Sequence, residues 1–364
     1  MRETPEASFT LNIKKQKDEI SSLSTGLPQQ VDNPACINQN IPMIKIKDLT
    51  GHVLAGGMLS RDEALLIAAV EENHLPALFE GANRIREAFR GNRIDLCSII
   101  NAKSGACPED CAYCAQSACA KTGIRTYPLV GTGQILKAAT EAKAAGARRF
   151  CIVTSGRKPK SEELDAIARS IEQVRAAGLL PCATLGLLSL KELKLLKNAG
   201  LDRYHHNLET SERFFPEICK THTFEEKLRT VLAAKEAGLS LCSGGIFGLG
   251  ENWEDRVDMA LAIRESGADS VPINFLIPVA GTALGERNIM PALEALKIIS
   301  LYRFLFPSKE VRVCGGRGQC LGNLGNMVFK AGADGLLTGN YLTKKGGPPE
   351  DDLQMINNQG FALA

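Results

Sequence analysis

Five copies of the dipeptide Ala-Gly each close a helical pattern in this 364-residue chain, at 145–146, 177–178, 199–200, 237–238 and 331–332. Glycine suits the left-handed residue that follows the end of a helix. A strand-like run comes shortly after each copy, and these runs are Arg149–Thr154, Pro181–Gly186, Arg203–Asn207, Ser240–Ile246 and Gly335–Thr338. Strands that alternate with helices of about 10–15 residues indicate βαβ units and a parallel sheet.

Three further runs bring the number of predicted strands to eight: Ile94–Asn101, Ser270–Leu276 and Glu310–Val313. Capping boxes such as Ser189 with Glu192 start the helices between them. Eight such units over residues 94–343 match the size of a (β/α)8 TIM-type barrel, and a doubly wound open sheet is the alternative. In a barrel, the active site is expected at the carboxyl ends of the strands.

The rest of the chain divides into three segments. Residues 1–42 are polar without periodicity and are predicted to be a flexible leader, while residues 43–93 are predicted to form N-terminal helices. Within the latter, regular structure is expected from about Leu59, with one helix from Ser60 to Leu75 and another over Leu78–Phe89. Residues 344–364 are predicted to be a C-terminal tail, and Tyr341–Asp352 to lie across the barrel mouth.

Composition restricts the partners and the compartment. The 43 basic and 41 acidic residues give a net charge of +2, which removes the electrostatic case for nucleic acid or an anionic membrane. Apolar runs are too short to span a bilayer, and residues 1–20 lack the apolar core of a signal peptide. The twelve cysteines therefore indicate a reduced cytoplasm, in which thiolates hold metal or take part in catalysis.

A cysteine motif follows the first predicted strand, with the spacing Cys107-x3-Cys111-x2-Cys114. Three thiolates can ligate three irons of a four-iron, four-sulfur cluster and leave the fourth iron open. An open metal position is typical of a catalytic site, whereas structural sites are closed. A zinc site with Cys119 as fourth ligand is the alternative, but the spacing matches no common zinc pattern.

Three further cysteines, Cys151, Cys182 and Cys242, lie in the second, third and fifth predicted strands. A single buried cysteine is usually a small packing residue. Three at comparable strand positions would converge inside a barrel if their side chains point inward. The pattern therefore predicts a second metal site.

The run CPEDCAYC at 107–114 resembles the radical S-adenosylmethionine superfamily. Together with YHHNLETS at 204–211, CSGGIFGLGE at 242–251 and VPINFLIP at 271–278, it is similar to the biotin synthase family over residues 55–358. This resemblance implies that S-adenosylmethionine binds the open iron and is cleaved to methionine and a 5′-deoxyadenosyl radical. The radical would take hydrogens from dethiobiotin, and a second cluster would supply the sulfur.

The resemblance also implies a set of site residues. The second cluster would be a two-iron cluster held by Cys151, Cys182, Cys242 and Arg312. Contacts to S-adenosylmethionine would come from Tyr113, Asn207, Glu209, Gly244, Gly245 and Gly248, and contacts to dethiobiotin from His205 and Asn274. His205 stands where the family pattern has asparagine, and Glu209 where it often has aspartate.

Several alternatives stay open. Cys314 shares a strand face with Arg312 and is a rival fourth ligand, because thiolate is the commoner iron ligand. The other functions considered are a single-cluster relative, such as a hydrogenase maturase or a methylornithine synthase, and a non-catalytic zinc or metal-storage barrel.

A flavodoxin or ferredoxin donor and a homodimer are expected by resemblance. Four cysteines are given no role: Cys36, Cys97, Cys119 and Cys219.

Overall fold

A closed parallel barrel forms the centre of the computed structural model, which describes residues 43–344 and 346–364. Its strands are β1 (Arg93–Lys103), β2 (Arg149–Thr154), β3 (Leu180–Thr184), β4 (Arg203–His205), β5 (Ser240–Cys242), β6 (Gly245–Phe247), β7 (Ser270–Phe275), β8 (Glu310–Val313) and β9 (Gly335–Leu337). Because β1 pairs with both β2 and β9, the sheet closes. The predicted (β/α)8 barrel is confirmed and the open sheet is wrong.

The fifth barrel strand is interrupted, whereas the sequence predicted one continuous strand. Its two pieces, β5 and β6, both pair with β7, and residues 243–244 separate them. Gly244 lies so close to β7 that a Cβ atom there would stand 2.0 Å from the carbonyl oxygen of Pro272. A side chain at this position would force the strands apart, so glycine is required for the close approach.

Within the described residues, eleven helices surround the barrel or precede it. They are α1 (Met43–Leu54), α2 (Arg61–Ala68), α3 (Leu75–Arg90), α4 (Thr132–Ala144), α5 (Ser161–Ala176), α6 (Leu190–Asn198), α7 (Phe224–Glu236), α8 (Trp253–Glu265), α9 (Ala292–Leu305), α10 (Arg317–Leu321) and α11 (Pro349–Asn358), with 3-10 turns at Glu72–His74, Phe215–Glu217 and Gly322–Val328. The capping box predicted at Ser189 is present, and Ser60 and Thr223 form capping boxes at the starts of α2 and α7.

Helix α1 begins before the point at which regular structure was expected, so the boundary near Leu59 was wrong. Ile46, Leu49 and Val53 are buried, and the helix packs against α3. This spacing places the three side chains on one face of the helix. Helix α2 also ends earlier than predicted, at Ala68. The predicted leader, residues 1–42, lies outside the described residues.

The C-terminal segment is fixed to the barrel. Strand β10 (Ala362–Leu363) pairs in parallel with Arg93 and Ile94 at the beginning of β1. Further back, the Asn101 side-chain amide donates a 3.0 Å hydrogen bond to the carbonyl oxygen of Leu342. This contact ties the segment that follows β9 to the carboxyl half of β1. No helix among the described residues is both long and apolar enough to cross a bilayer.

Candidate active site

A cavity of about 420 Å³ opens at the carboxyl ends of the barrel strands. It brings together most of the residues that the sequence pointed to: Cys107, Cys111, Tyr113, Cys114, Cys151, Cys182, His205, Asn207, Glu209, Cys242, Asn274 and Arg312. Gly244, Gly245 and Gly248 are not among the described residues that line it. The first two instead permit close packing, because a Cβ at Gly244 would meet the Pro272 carbonyl oxygen and one at Gly245 would meet Met259 and the Glu209 carbonyl oxygen.

The cysteine motif occupies the loop between β1 and α4. Its fold is held by backbone hydrogen bonds from the Cys107 amide to the Gln116 carbonyl (3.1 Å) and from the Ala118 amide to the Cys107 carbonyl (2.8 Å). Cys107, Cys111 and Cys114 are free thiols, half-buried, on the cavity wall. Three free thiols on one loop at the mouth of a cavity fit the ligand set of a cluster with one open iron. Cys119, the zinc alternative, is exposed.

Deeper in the barrel, Cys151 and Cys182 are register partners on β2 and β3, so they lie side by side. Cys242 is also buried on the cavity wall, and burial raises the pKa of its thiol to about 12. The pKa of Cys182 is lowered, first by a hydrogen bond from Cys151 and then by neighbouring guanidinium groups. These groups belong to Arg149, Arg203 and Arg312.

The arginines matter because thiolate ligands and sulfide give a cluster negative charge that burial would otherwise disfavour. Arg149 and Thr154 line the cavity, and the Arg149 Nε and Thr154 Oγ1 atoms have no hydrogen-bond partner in the described chain. Buried polar atoms without a protein partner point to a bound group. The buried thiols together with the positive charges therefore fit an auxiliary iron–sulfur cluster.

Arg312 is held firmly by the protein. Its Nη1 donates to the carbonyl oxygens of Asp95 and Leu336, each at 3.0 Å, and its Nη2 donates to the carboxylates of Asp95 and Glu310. Burial alone would lower the pKa of Arg312, but the surrounding anionic groups raise it well above its usual value. All four terminal hydrogens of this guanidinium are thus already donated. Cys314 is buried nearby and packs with Cys97 and Leu337.

The last residue of β4, His205, begins a row of hydrogen-bonded side chains that continues through Asn207 to Glu209. Asn207 Oδ1 accepts from the Gly244 amide at 3.1 Å, which fixes that atom as the oxygen. His205 Nε2, 2.9 Å from the same oxygen, must then be a donor, so Nδ1 is left as an acceptor. Asn207 Nδ2 donates to the Glu209 carboxylate at 3.3 Å. Glu209 adopts φ 75°, a conformation that is rare outside glycine and concentrates at functional sites.

Asn274 bridges two backbone segments at the cavity wall. Its Nδ2 donates to the Gly245 carbonyl oxygen at 3.1 Å, and its Oδ1 accepts from the Gly315 amide at 3.0 Å. An amide nitrogen carries two hydrogens, so one donor remains for a ligand. The orientation of that donor is fixed by the two backbone contacts.

Sequence reasoning gave no role to Cys97 or Cys219, yet Cys97 lines the cavity and Cys219 touches the cysteine motif. No role was given to Arg149 and Arg203 either, although an arginine inside an otherwise apolar strand could have indicated a residue of the site. For Cys219 the sequence held no such signal, because its contact with Cys111 joins segments 108 positions apart.

Comparison with known proteins identifies the family of this chain. Residues 102–263 match the family model "Radical SAM superfamily", and residues 272–362 match "Biotin and Thiamin Synthesis associated domain". The biotin synthase of Geobacter metallireducens is 47% identical over 87% of this chain and 97% of its own. That of Thermodesulfovibrio yellowstonii is 48% identical over 82% and 94%. A methylornithine synthase structure superposes with a TM-score of 0.76 at 21% identity, covering 87% of this chain and 97% of its own.

The fold and the site define a radical S-adenosylmethionine enzyme. A four-iron cluster and S-adenosylmethionine are the cofactors that this class implies. More narrowly, the chain belongs to the biotin synthase family. This excludes the non-catalytic barrel and favours biotin synthase over the single-cluster alternative, whose solved structures are 16–21% identical to this chain and show a likeness of fold. A [2Fe-2S] cluster is typical of the family.

The environment of His205 generates a stability prediction. Burial lowers the pKa of its imidazole to about 4, against the opposing effect of the hydrogen bond to Asn207. Between pH 6.5 and 4 the unfolded chain therefore binds a proton that the folded chain does not, and stability falls as the pH is lowered through this window. We expect His205→Asn to unfold with a shallower dependence on pH there, measured by urea denaturation.

His52→Asn provides the composition-matched control, because it removes an exposed imidazole outside the cavity by the same substitution. An unchanged slope in His205→Asn would mean that this imidazole is not held neutral by its surroundings.

Proposed function

We propose that this chain inserts sulfur into dethiobiotin to form biotin, using two iron–sulfur clusters in one cavity. The observation that carries the proposal is the meeting of two separate cysteine sets, one on the β1–α4 loop and one inside the barrel, on the wall of the same cavity. When bound, a [4Fe-4S] cluster with S-adenosylmethionine supplies one-electron cleavage of that cofactor, and an auxiliary [2Fe-2S] cluster supplies sulfur.

Cys107, Cys111 and Cys114 would hold the four-iron cluster, and Asn207 and Glu209 would hold S-adenosylmethionine. The Glu209 carboxylate is suited to accept hydrogen bonds from two ribose hydroxyls. Its position is set by Asn207, which donates to it, and by Lys227, whose Nζ lies 3.8 Å from its Oε1. Tyr113 is on the same wall of the cavity, beside the motif cysteines.

His205 and Asn274 would bind the ureido ring of dethiobiotin. That ring offers two N–H donors and one carbonyl acceptor. The free Nδ1 acceptor of His205 complements an N–H, and the free amide hydrogen of Asn274 complements the carbonyl. The imidazole thus supplies the acceptor that asparagine supplies in the family pattern.

The segment Tyr341–Lys344 also lines the cavity. Its place over the strand ends suits it to exclude water, which protects a reactive radical from side reactions. We also propose a flavodoxin or ferredoxin as electron donor, a homodimer, and a cytoplasmic location. The family resemblance supports the first two. The eleven free cysteines of the described chain support a reducing compartment.

Mutations in the two cysteine sets should have different effects on the two products. Anaerobic incubation of the reconstituted enzyme with dethiobiotin, S-adenosylmethionine and reductant should give biotin and 5′-deoxyadenosine. Cys111→Ala should abolish both products, because an under-ligated cluster cannot cleave the cofactor. Cys151→Ala should abolish biotin while 5′-deoxyadenosine still forms. Products are quantified by chromatography, and 5′-deoxyadenosine formed without biotin by the unmodified enzyme would refute the proposal.

Asn274 should act on the substrate and not on the cofactor. Replacing it by alanine leaves the ligand carbonyl without its donor, a loss of about 1–3 kcal/mol, or roughly 5- to 150-fold in affinity. We expect Asn274→Ala to raise the dethiobiotin concentration needed for half-maximal rate by that factor. Binding of S-adenosylmethionine, measured by calorimetry, should stay near normal. Equal weakening of both ligands would contradict the assignment.

The fourth ligand of the auxiliary cluster has two candidates. The resemblance favours Arg312, and a weak ligand suits a cluster that gives up sulfur. The hydrogen bonding of both terminal nitrogens of Arg312 favours Cys314 instead, since iron ligation through either of them would require it to release a contact to Asp95, Leu336 or Glu310.

Mössbauer spectra and iron counts on Cys314→Ala distinguish the two. With Arg312 as ligand, we expect an unchanged two-iron auxiliary signal. Loss of the auxiliary signal with the four-iron signal intact would assign a cysteine-ligated cluster. Cys320→Ala is the matched control, because Cys320 is buried but faces the Met290 carbonyl oxygen.

A further inference from the structure

A second group of metal-ligand atoms overlaps the cysteine motif at Cys111 and adds two residues, Cys219 and His222, that have no part in the function proposed above. The Sγ atoms of Cys111 and Cys219 are 3.9 Å apart, and Cys219 Sγ is 3.2 Å from His222 Nδ1 and 3.8 Å from its Nε2. One ligand atom from each of the three residues lies within 4.8 Å of the others. Cys219 and His222 are both buried, in the loop before α7.

These distances suit one ion with tetrahedral geometry. Metal–sulfur bonds of about 2.3 Å and metal–nitrogen bonds of about 2.0 Å place two thiolates about 3.8 Å apart on one ion, and a thiolate and an imidazole nitrogen about 3.5 Å apart. The Cys111–Cys219 and Cys219–His222 Nε2 separations are close to these values.

The surroundings of His222 support the same assignment. Its Nδ1 is 2.5 Å from the Glu109 carboxylate, which also accepts from Thr221 at 2.6 Å and from Arg157 at 3.3 Å. A histidine that binds metal through Nε2 commonly donates its other ring hydrogen to a carboxylate, which orients the ring. Glu109 is placed to do this.

We propose that the chain, when it lacks the four-iron cluster, binds one divalent transition metal ion through Cys111, Cys219 and His222. Two thiolates and one imidazole are a donor set that zinc and ferrous iron both accept. The inference rests on the proposed function in one respect, namely that Cys111 is a ligand of the four-iron cluster. An ion here would use the thiolate that the four-iron cluster needs, so the two occupancies exclude each other.

Cobalt is a suitable probe because a cobalt–thiolate site absorbs visible and near-ultraviolet light. The full-length chain would be stripped of iron anaerobically and titrated with Co²⁺ in a Cys151→Ala/Cys182→Ala background, which removes two of the three auxiliary thiols. We expect one equivalent to bind with thiolate charge-transfer absorption. Cys219→Ser should lose about half of that absorption per bound ion, and both Cys219→Ser and His222→Gln should weaken binding at least about 10-fold.

Two further variants make the test specific. Cys107→Ala prevents assembly of the four-iron cluster but should leave cobalt binding unchanged, because Cys107 is not in the proposed set. Cys119→Ser, an exposed cysteine of the same loop, should also bind cobalt normally. Thermal melts check that every variant is folded.

Cobalt binding that is lost in Cys107→Ala but survives in Cys219→Ser would overturn the proposal, since the ion would then sit on the three motif cysteines. Absence of stoichiometric binding to the parent would overturn it as well. Neither outcome bears on sulfur insertion, which fails only if the cluster-loaded enzyme makes no biotin.

Discussion

The site depends on the pairing of the first barrel strand, β1, with the last barrel strand, β9. A parallel sheet that closes places the carboxyl ends of all its strands around one opening. Here the closure also brings Asp95 on β1 against Arg312 on β8, because both are register partners of Gly335 on β9. A side chain at Gly335 would begin about 3.1 Å from the Arg312 guanidinium carbon, so the missing side chain makes room for that contact.

The interior that results is charged where such barrels usually hold layers of branched apolar residues. Arg203 and Arg312 share the carboxylate of Glu310, and burial of that carboxylate is outweighed by the two guanidinium groups, which lower its pKa. Removing one partner of a buried ion pair costs about 3–5 kcal/mol, because the other charge is left uncompensated. As a packed core, such an interior would stabilise the fold less than apolar residues would, because buried charges must be desolvated. The same charges suit the wall of a binding site, where they can interact with a charged ligand.

The strands, helix caps and cysteine motif could be predicted because each is encoded locally, by periodicity, by a Ser-x-x-Glu pair or by spacing. The break in the fifth strand could not, since it depends on how close Gly244 comes to the Pro272 carbonyl on another strand. The hydrogen bonds that saturate Arg312 are equally non-local. The sequence identified the residue but not the two carboxylates that hold it.

In the substrate contact proposed above, His205 would replace the family's asparagine and keep its acceptor, because neighbouring groups define which nitrogen of the ring accepts. An imidazole offers a donor or an acceptor at each nitrogen, so by itself it would recognise a ligand poorly. The Gly244 amide fixes the oxygen of Asn207, and that oxygen then fixes the donor nitrogen of His205. Burial keeps the ring neutral by lowering its pKa to about 4. The remaining nitrogen is therefore one defined acceptor, and its definition originates in a backbone amide two residues beyond Cys242.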